Sequence, residues 1–204
     1  MKNTYEFRMK LQEILKKNPN DLEALIQLGA LEFEFFHHDK LAISLLEKAI
    51  ELEPKNVEAR FWLAACLFYD LFEYERAKKI LHEALTINPN LPDCLSLMAW
   101  ILYEKDKALK KAKEYVQKAI IYAPDWPMLR YQLAEILLDD GKIVAAEEEI
   151  HKAMQIPSLT KEAITSDVQQ YYENVITGRS WDEKEKKSSH LLKRLKIAKL
   201  EKKN

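Results

Sequence analysis

The 204-residue chain holds three glycines, two cysteines and seven prolines, and it has no surplus of charge: 32 Lys plus Arg stand against 33 Asp plus Glu. With glycine and proline so scarce, a fold made of many tight β-turns is excluded. Two cysteines, Cys66 and Cys94, are too few for a disulfide framework and read as small core hydrophobes in a reducing cytoplasm. A net charge of −1 excludes a polyanion binder that works by overall charge. The longest apolar stretch, Phe61 to Tyr69, is far short of the roughly 20 residues that span a bilayer. Charged residues at Lys2, Glu6 and Arg8 interrupt the run that an export signal would need, so a cytoplasmic location is expected.

Nucleotide and hydrolase signatures are missing as well. Gly29, Gly141 and Gly178 form no Gly-rich phosphate loop and no Gly-x-Ser-x-Gly elbow. Two Glu-x-x-His spacings occur, Glu34 with His37 and Glu148 with His151, but the repeat frame described next sets them three repeats apart. They read as solvated helix faces. No catalysis, cofactor, metal or small-molecule substrate is expected.

What the chain does have is a period. Pro19, Pro54, Pro89 and Pro124 follow one another at 35 residues, and Pro157 comes 33 later. Each closes a helix-like phrase, such as Ile50-Glu51-Leu52-Glu53-Pro54. Before each of the last four prolines stands an alanine pair seven residues apart: Ala42 and Ala49, Ala77 and Ala84, Ala112 and Ala119, Ala146 and Ala153. Seven residues are two helical turns, so each pair shares a face where only small side chains fit. A second phrase precedes each pair: Leu25-x-x-Leu28-Gly29, Arg60-x-x-Leu63-Ala64, Leu95-x-x-Met98-Ala99 and Arg130-x-x-Leu133-Ala134. The unit is helix, turn, helix, proline-marked turn. The fourth turn is one residue shorter, with Gly141 placed for a left-handed helix exit.

These phrases resemble the tetratricopeptide repeat (TPR) family, whose pattern is W-x2-L-G-x2-Y, then A-x3-F, then P, over about 34 residues. The family's Trp position holds Leu25, Arg60, Leu95 or Arg130, and its Tyr position Glu32, Leu67, Leu102 or Leu137. The resemblance implies an all-α, right-handed superhelical solenoid of antiparallel helix pairs over residues 1–178. Its parts are a half repeat (3–19), repeats at 22–54, 57–89, 92–124 and 127–157, and a capping helix at 160–178. The cap starts at Thr160 and carries Ile164, Val168, Tyr171, Tyr172, Val175 and Ile176. Residues 179–204 form a charged helical tail, with Ser180-x-x-Glu183 as a capping box and Trp181 as an anchor.

The resemblance also implies a binding face along the first helix of each pair. Carried over, its positions are Ile26, Ala30 and Phe33; Phe61, Ala65 and Phe68; Ser96, Trp100 and Tyr103; Tyr131, Glu135 and Leu138. Six of these twelve are aromatic, a lining suited to a peptide or helix of another protein. Whether each ring lines the face or belongs to the core is left open by its spacing. No Lys, Arg or Asn stands among them, so the clamp with which some co-chaperones of this family hold a carboxylate is not evident. Glu135, with Glu34, Glu104 and Asp139 nearby in sequence, favours a ligand with basic flanks.

From Ser188 to Asn204 the tail has six Lys plus Arg and one Glu, a surplus of +5 that leaves −6 on the other 187 residues. Leu191, Leu192, Leu195 and Ala198 make one apolar stripe, flanked by Lys193, Arg194, Lys196, Lys199, Lys202 and Lys203. The expected function is therefore a protein interaction scaffold or adaptor. Its first alternative is a structural or self-associating subunit whose face is filled by its own tail or a sister chain. Recruitment to a membrane or RNA through the tail is a weaker third.

Overall fold

The computed structural model describes residues 2–156 and 181–201. Among the described residues ten helices occur: α1 (Lys2–Lys17), α2 (Leu22–Glu34), α3 (Asp39–Leu52), α4 (Val57–Tyr69), α5 (Tyr74–Ile87), α6 (Pro92–Glu104), α7 (Leu109–Tyr122), α8 (Pro127–Asp139), α9 (Ile143–Gln155) and α10 (Trp181–Glu201). The expected cap at 160–178, together with Pro157, Gly178 and Ser180, lies outside the described residues, as do Lys202 and Lys203.

Local chemistry fixes the ends of the helices. Asp21 and Asn56 accept hydrogen bonds from the N–H groups of Ala24 and Ala59, at 3.0 and 2.8 Å, and so cap α2 and α4. In the next two repeats the same task falls to proline: Pro92 and Pro127 open α6 and α8, where a missing N–H loses nothing. Pro19, Pro54, Pro89 and Pro124 each stand two residues past a helix end.

The turn between paired helices needs one left-handed residue. His37, Phe72 and Lys107 take it at φ 52°, 57° and 51°, and Gly141 takes it at 70°. The first three turns close with an N–H bonded to the carbonyl six residues back: His38 to Glu32, Glu73 to Leu67, Ala108 to Leu102. The fourth closes over five, from Lys142 to Leu137, as in a Schellman exit with glycine at its left-handed position. That extra turn residue, with a 14-residue second helix where α9 has 13, is the difference between the 35-residue spacings and the final 33.

The chain divides into two compact units, Met1–Leu97 and Met98–Asn204, with the division inside α6. In the first, α1 packs on α2, α2 on α3 and α4, α3 on α4, and α4 on α5. In the second, α7 packs on α8, α8 on α9, and α10 on both α8 and α9. All eight alanines of the seven-residue pairs are fully buried. Gly29 answers to the same need: a Cβ there would lie 2.8 Å from the Leu46 side chain of α3. Cys66 and Cys94 are free and buried, and burial, followed by the acidic Asp39 and Asp70 for one and Asp93 for the other, pushes each thiol up to about 12.

Three of the eight positions that hold Trp or Tyr in the repeat pattern carry charges here, Glu32, Arg60 and Arg130, and each has a partner. Glu32, fully buried on α2, accepts from Arg8 Nε at 2.6 Å and Nη2 at 3.1 Å, and lies 2.7 Å from His38 Nδ1. Arg8 also sits 4.5 Å over the Phe36 ring, so this one carboxylate ties α1 to the first repeat. Arg60 and Arg130 pair with Glu83 and Glu149, at 3.6 and 2.9 Å, and link the two helices of their own repeats.

Candidate functional site

In the first unit the aromatic row is largely core. Ile26, Phe33 and Phe68 are buried and Phe61 is half-buried. Phe33 stacks on Tyr69 at 6.5 Å, Phe68 meets Tyr69 and Tyr74 edge-on at 4.7 and 5.7 Å, and Phe61 meets Trp62 edge-on at 5.0 Å. Their rings hold helices together and present little free surface.

The second unit differs. Trp100 on α6 is half-buried and tilts against Tyr103 at 5.4 Å. Tyr103 donates its hydroxyl to Asp139 at the end of α8, at 2.5 Å. Burial first, and then that hydrogen bond and the charge of Asp139, raise the Tyr103 phenol well above its ordinary value. Tyr131 is fully buried, and burial raises its phenol too, with the Ser188 hydroxyl acting the other way. Glu135 is 8 % exposed one turn further along α8, and Leu138 is half-buried. Together these residues make a face with one half-buried ring, Trp100, and two carboxylates.

The basic tail lies on that face. Leu191 and Leu195 of α10 are buried, and Leu192, Lys193 and Lys196 turn outward. Lys187 Nζ lies 2.6 Å from Glu135 Oε2 and 5.3 Å over the Trp100 ring. Arg194 reaches Glu135 Oε1 at 3.2 Å with one nitrogen and Asp139 Oδ1 at 2.5 Å with the other. Lys199 donates to Glu147 on α9 at 2.5 Å. Among the described residues, both partners of the Glu135 carboxylate come from α10; none comes from the repeats. Beside this contact, α9 and α10 line an open apolar groove of 540 Å³ with Ile143, Val144, Leu192, Leu195 and Leu200.

The sequence reading missed Lys187 and Glu147. Lys187, Leu191, Arg194 and Leu195 stand at i, i+4, i+7 and i+8, one face of a helix, which was the available signal. Among the described residues no three His, Cys, Asp or Glu side chains converge as metal ligands, and no helix is long and apolar enough to cross a membrane.

A family profile described as "Anaphase-promoting complex, cyclosome, subunit 3" matches residues 37–119, under half of the chain. No curated protein matches it. Among solved structures, PilF of Pseudomonas aeruginosa is 20 % identical with a TM-score of 0.67, over 96 % of this chain and 84 % of that one. TTC0263, a thermophilic TPR protein of Thermus thermophilus, is 19 % identical with a TM-score of 0.65, over 83 % and 88 %. YrrB, described as a TPR protein with an unusual peptide-binding site, is 18 % identical with a TM-score of 0.59, over 92 % and 91 %. At these identities the likeness is one of fold.

Proposed function

We propose that the chain, whose fold is that of tetratricopeptide-repeat proteins, is a non-catalytic scaffold that holds a peptide or helix of another protein on the α6–α8 face of its second unit. The observation that carries this reading is Glu135. A carboxylate so deeply covered among rings needs cations, and both of its cations arrive on an amphipathic helix, α10. Trp100 supplies a half-buried ring beneath one of them, a rigid anchor of the kind that dominates binding energy. The likeness to YrrB, a TPR protein with an unusual peptide-binding site, supports the same reading. The rings of the first unit contribute to packing and do not enter the proposed site.

The test is affinity capture on the full chain, comparing wild type with a Trp100→Ala, Glu135→Gln variant that circular dichroism shows to be folded. A protein retained by the first and lost by the second supports the site. Equal retention of the same proteins contradicts it.

A second reading is favoured by the same helix: the face is filled for good by α10, and the protein is a structural or self-associating subunit. Light scattering on the wild type and on Leu191→Asp separates a monomer with an internal seat from a dimer built by exchanged tails.

A further inference from the structure

We infer that α10 is a built-in competitor for the α6–α8 face, and that the ligand this face selects is a basic amphipathic helix with the cation spacing of α10. The inference rests on the preceding reading of that face as the binding site, and it adds the ligand's chemistry and its regulation.

Three observations carry it. The first is spacing. Lys187 and Arg194 are seven residues apart, two full turns, so both ammonium and guanidinium point the same way and grip the two oxygens of one carboxylate, Oε2 and Oε1 of Glu135. Leu191 and Leu195 fall on the same side and are buried. A competing helix therefore needs Lys or Arg at i and i+7, with apolar residues at i+4 and i+8. An acidic or neutral helix would leave Glu135 without a cation in a largely dry setting.

The second is the modest hold on α10. Two leucines are buried, while Leu192, Ile197 and Leu200 remain exposed. The ion pairs of Arg194 with Asp139 and of Lys199 with Glu147 lie at partly exposed sites, where such pairs stabilise little. A helix bound this lightly stays in place because it belongs to the same chain, which makes its binding intramolecular. A free helix with one or two better contacts displaces it. The third is charge. Lys187, Arg194 and Lys199 of α10 meet Glu135, Asp139 and Glu147 of the same unit, so the contact is weakened by salt and guarded against acidic segments.

The experiment measures the binding of a fluorescent synthetic peptide of residues 187–201 to the full chain by anisotropy. Two release variants are compared with wild type: Leu191→Asp, which empties the apolar seat, and Arg194→Glu, a partly exposed position that leaves the repeats untouched. The peptide is expected to bind both at least tenfold more tightly than it binds wild type. Equal affinity for all three chains overturns the inference. A peptide carrying Lys187→Glu and Arg194→Glu is expected to lose at least tenfold in affinity for the released chain, and so is the native peptide when Glu135→Lys is added to that chain. Indifference to either change overturns the selection rule. A wild type that is dimeric, and that Leu191→Asp turns monomeric, overturns the intramolecular seat. These outcomes are independent of protein capture: peptide binding with no captured partner sinks the scaffold reading alone, and failed peptide binding sinks this inference alone.

Discussion

Single residues carry the departures from the repeat pattern, and the charged ones have a physical use. Glu32 replaces an aromatic ring and in return anchors α1 through Arg8 and His38. Removing one partner of a buried pair leaves a charge in a poorly solvated place. Arg8→Ala is therefore expected to cost about 3 kcal/mol, read as a drop in the urea midpoint, and a loss under about 0.5 kcal/mol would contradict the anchoring role. Asp70 shows the opposite situation. Its carboxyl is pushed above the usual range by burial first, and then by the charge of Asp39 and a hydrogen bond to it, with His37 opposing. The native state thus holds the Asp70 proton more tightly than the unfolded chain does, so stability is greatest below the unfolded value of 3.8 and falls as pH rises through the native value. Asp70→Asn should flatten that fall and stabilise the protein at neutral pH; an unchanged pH profile would refute the assignment.

At the scale of elements, the period is decided by turns. The prolines and the alanine pairs were legible in sequence, because each acts within a few residues of itself. The aromatic row was legible as a row, but not its burial: Phe33 and Phe68 are covered by Trp62, Tyr69 and Tyr74, and spacing alone does not separate a core ring from a surface one. The left-handed turn residue offers a clean test. A Cβ on Gly141 meets nothing within 4 Å, so Gly141→Ala isolates the backbone term and should destabilise by about 1 kcal/mol. Lys107→Gly, at the matching position one repeat earlier, should gain about as much. Thermal melts of the two variants should move in opposite directions, and a shift of the same sign would contradict the account of the turns.

On the scale of the whole molecule, two compact units carry different surfaces. The first spends its rings on packing, and the second keeps Trp100, Glu135 and Asp139 for a helix that comes from the far end of the chain. The charge asymmetry between tail and body was visible in composition. The particular pairing was not, because Lys187 and Arg194 meet Glu135 across 52 and 59 residues of sequence, and no local pattern encodes which carboxylate a distant cation will find.

Everything proposed for the face depends on α10 being seated there through Glu135. Hydrogen exchange of the amides of residues 187–199, in wild type and in Glu135→Lys, tests that most directly. The account predicts clear protection in wild type and its loss in the variant, with α8 still protected in both. Equal protection of α10 in the two chains would contradict it.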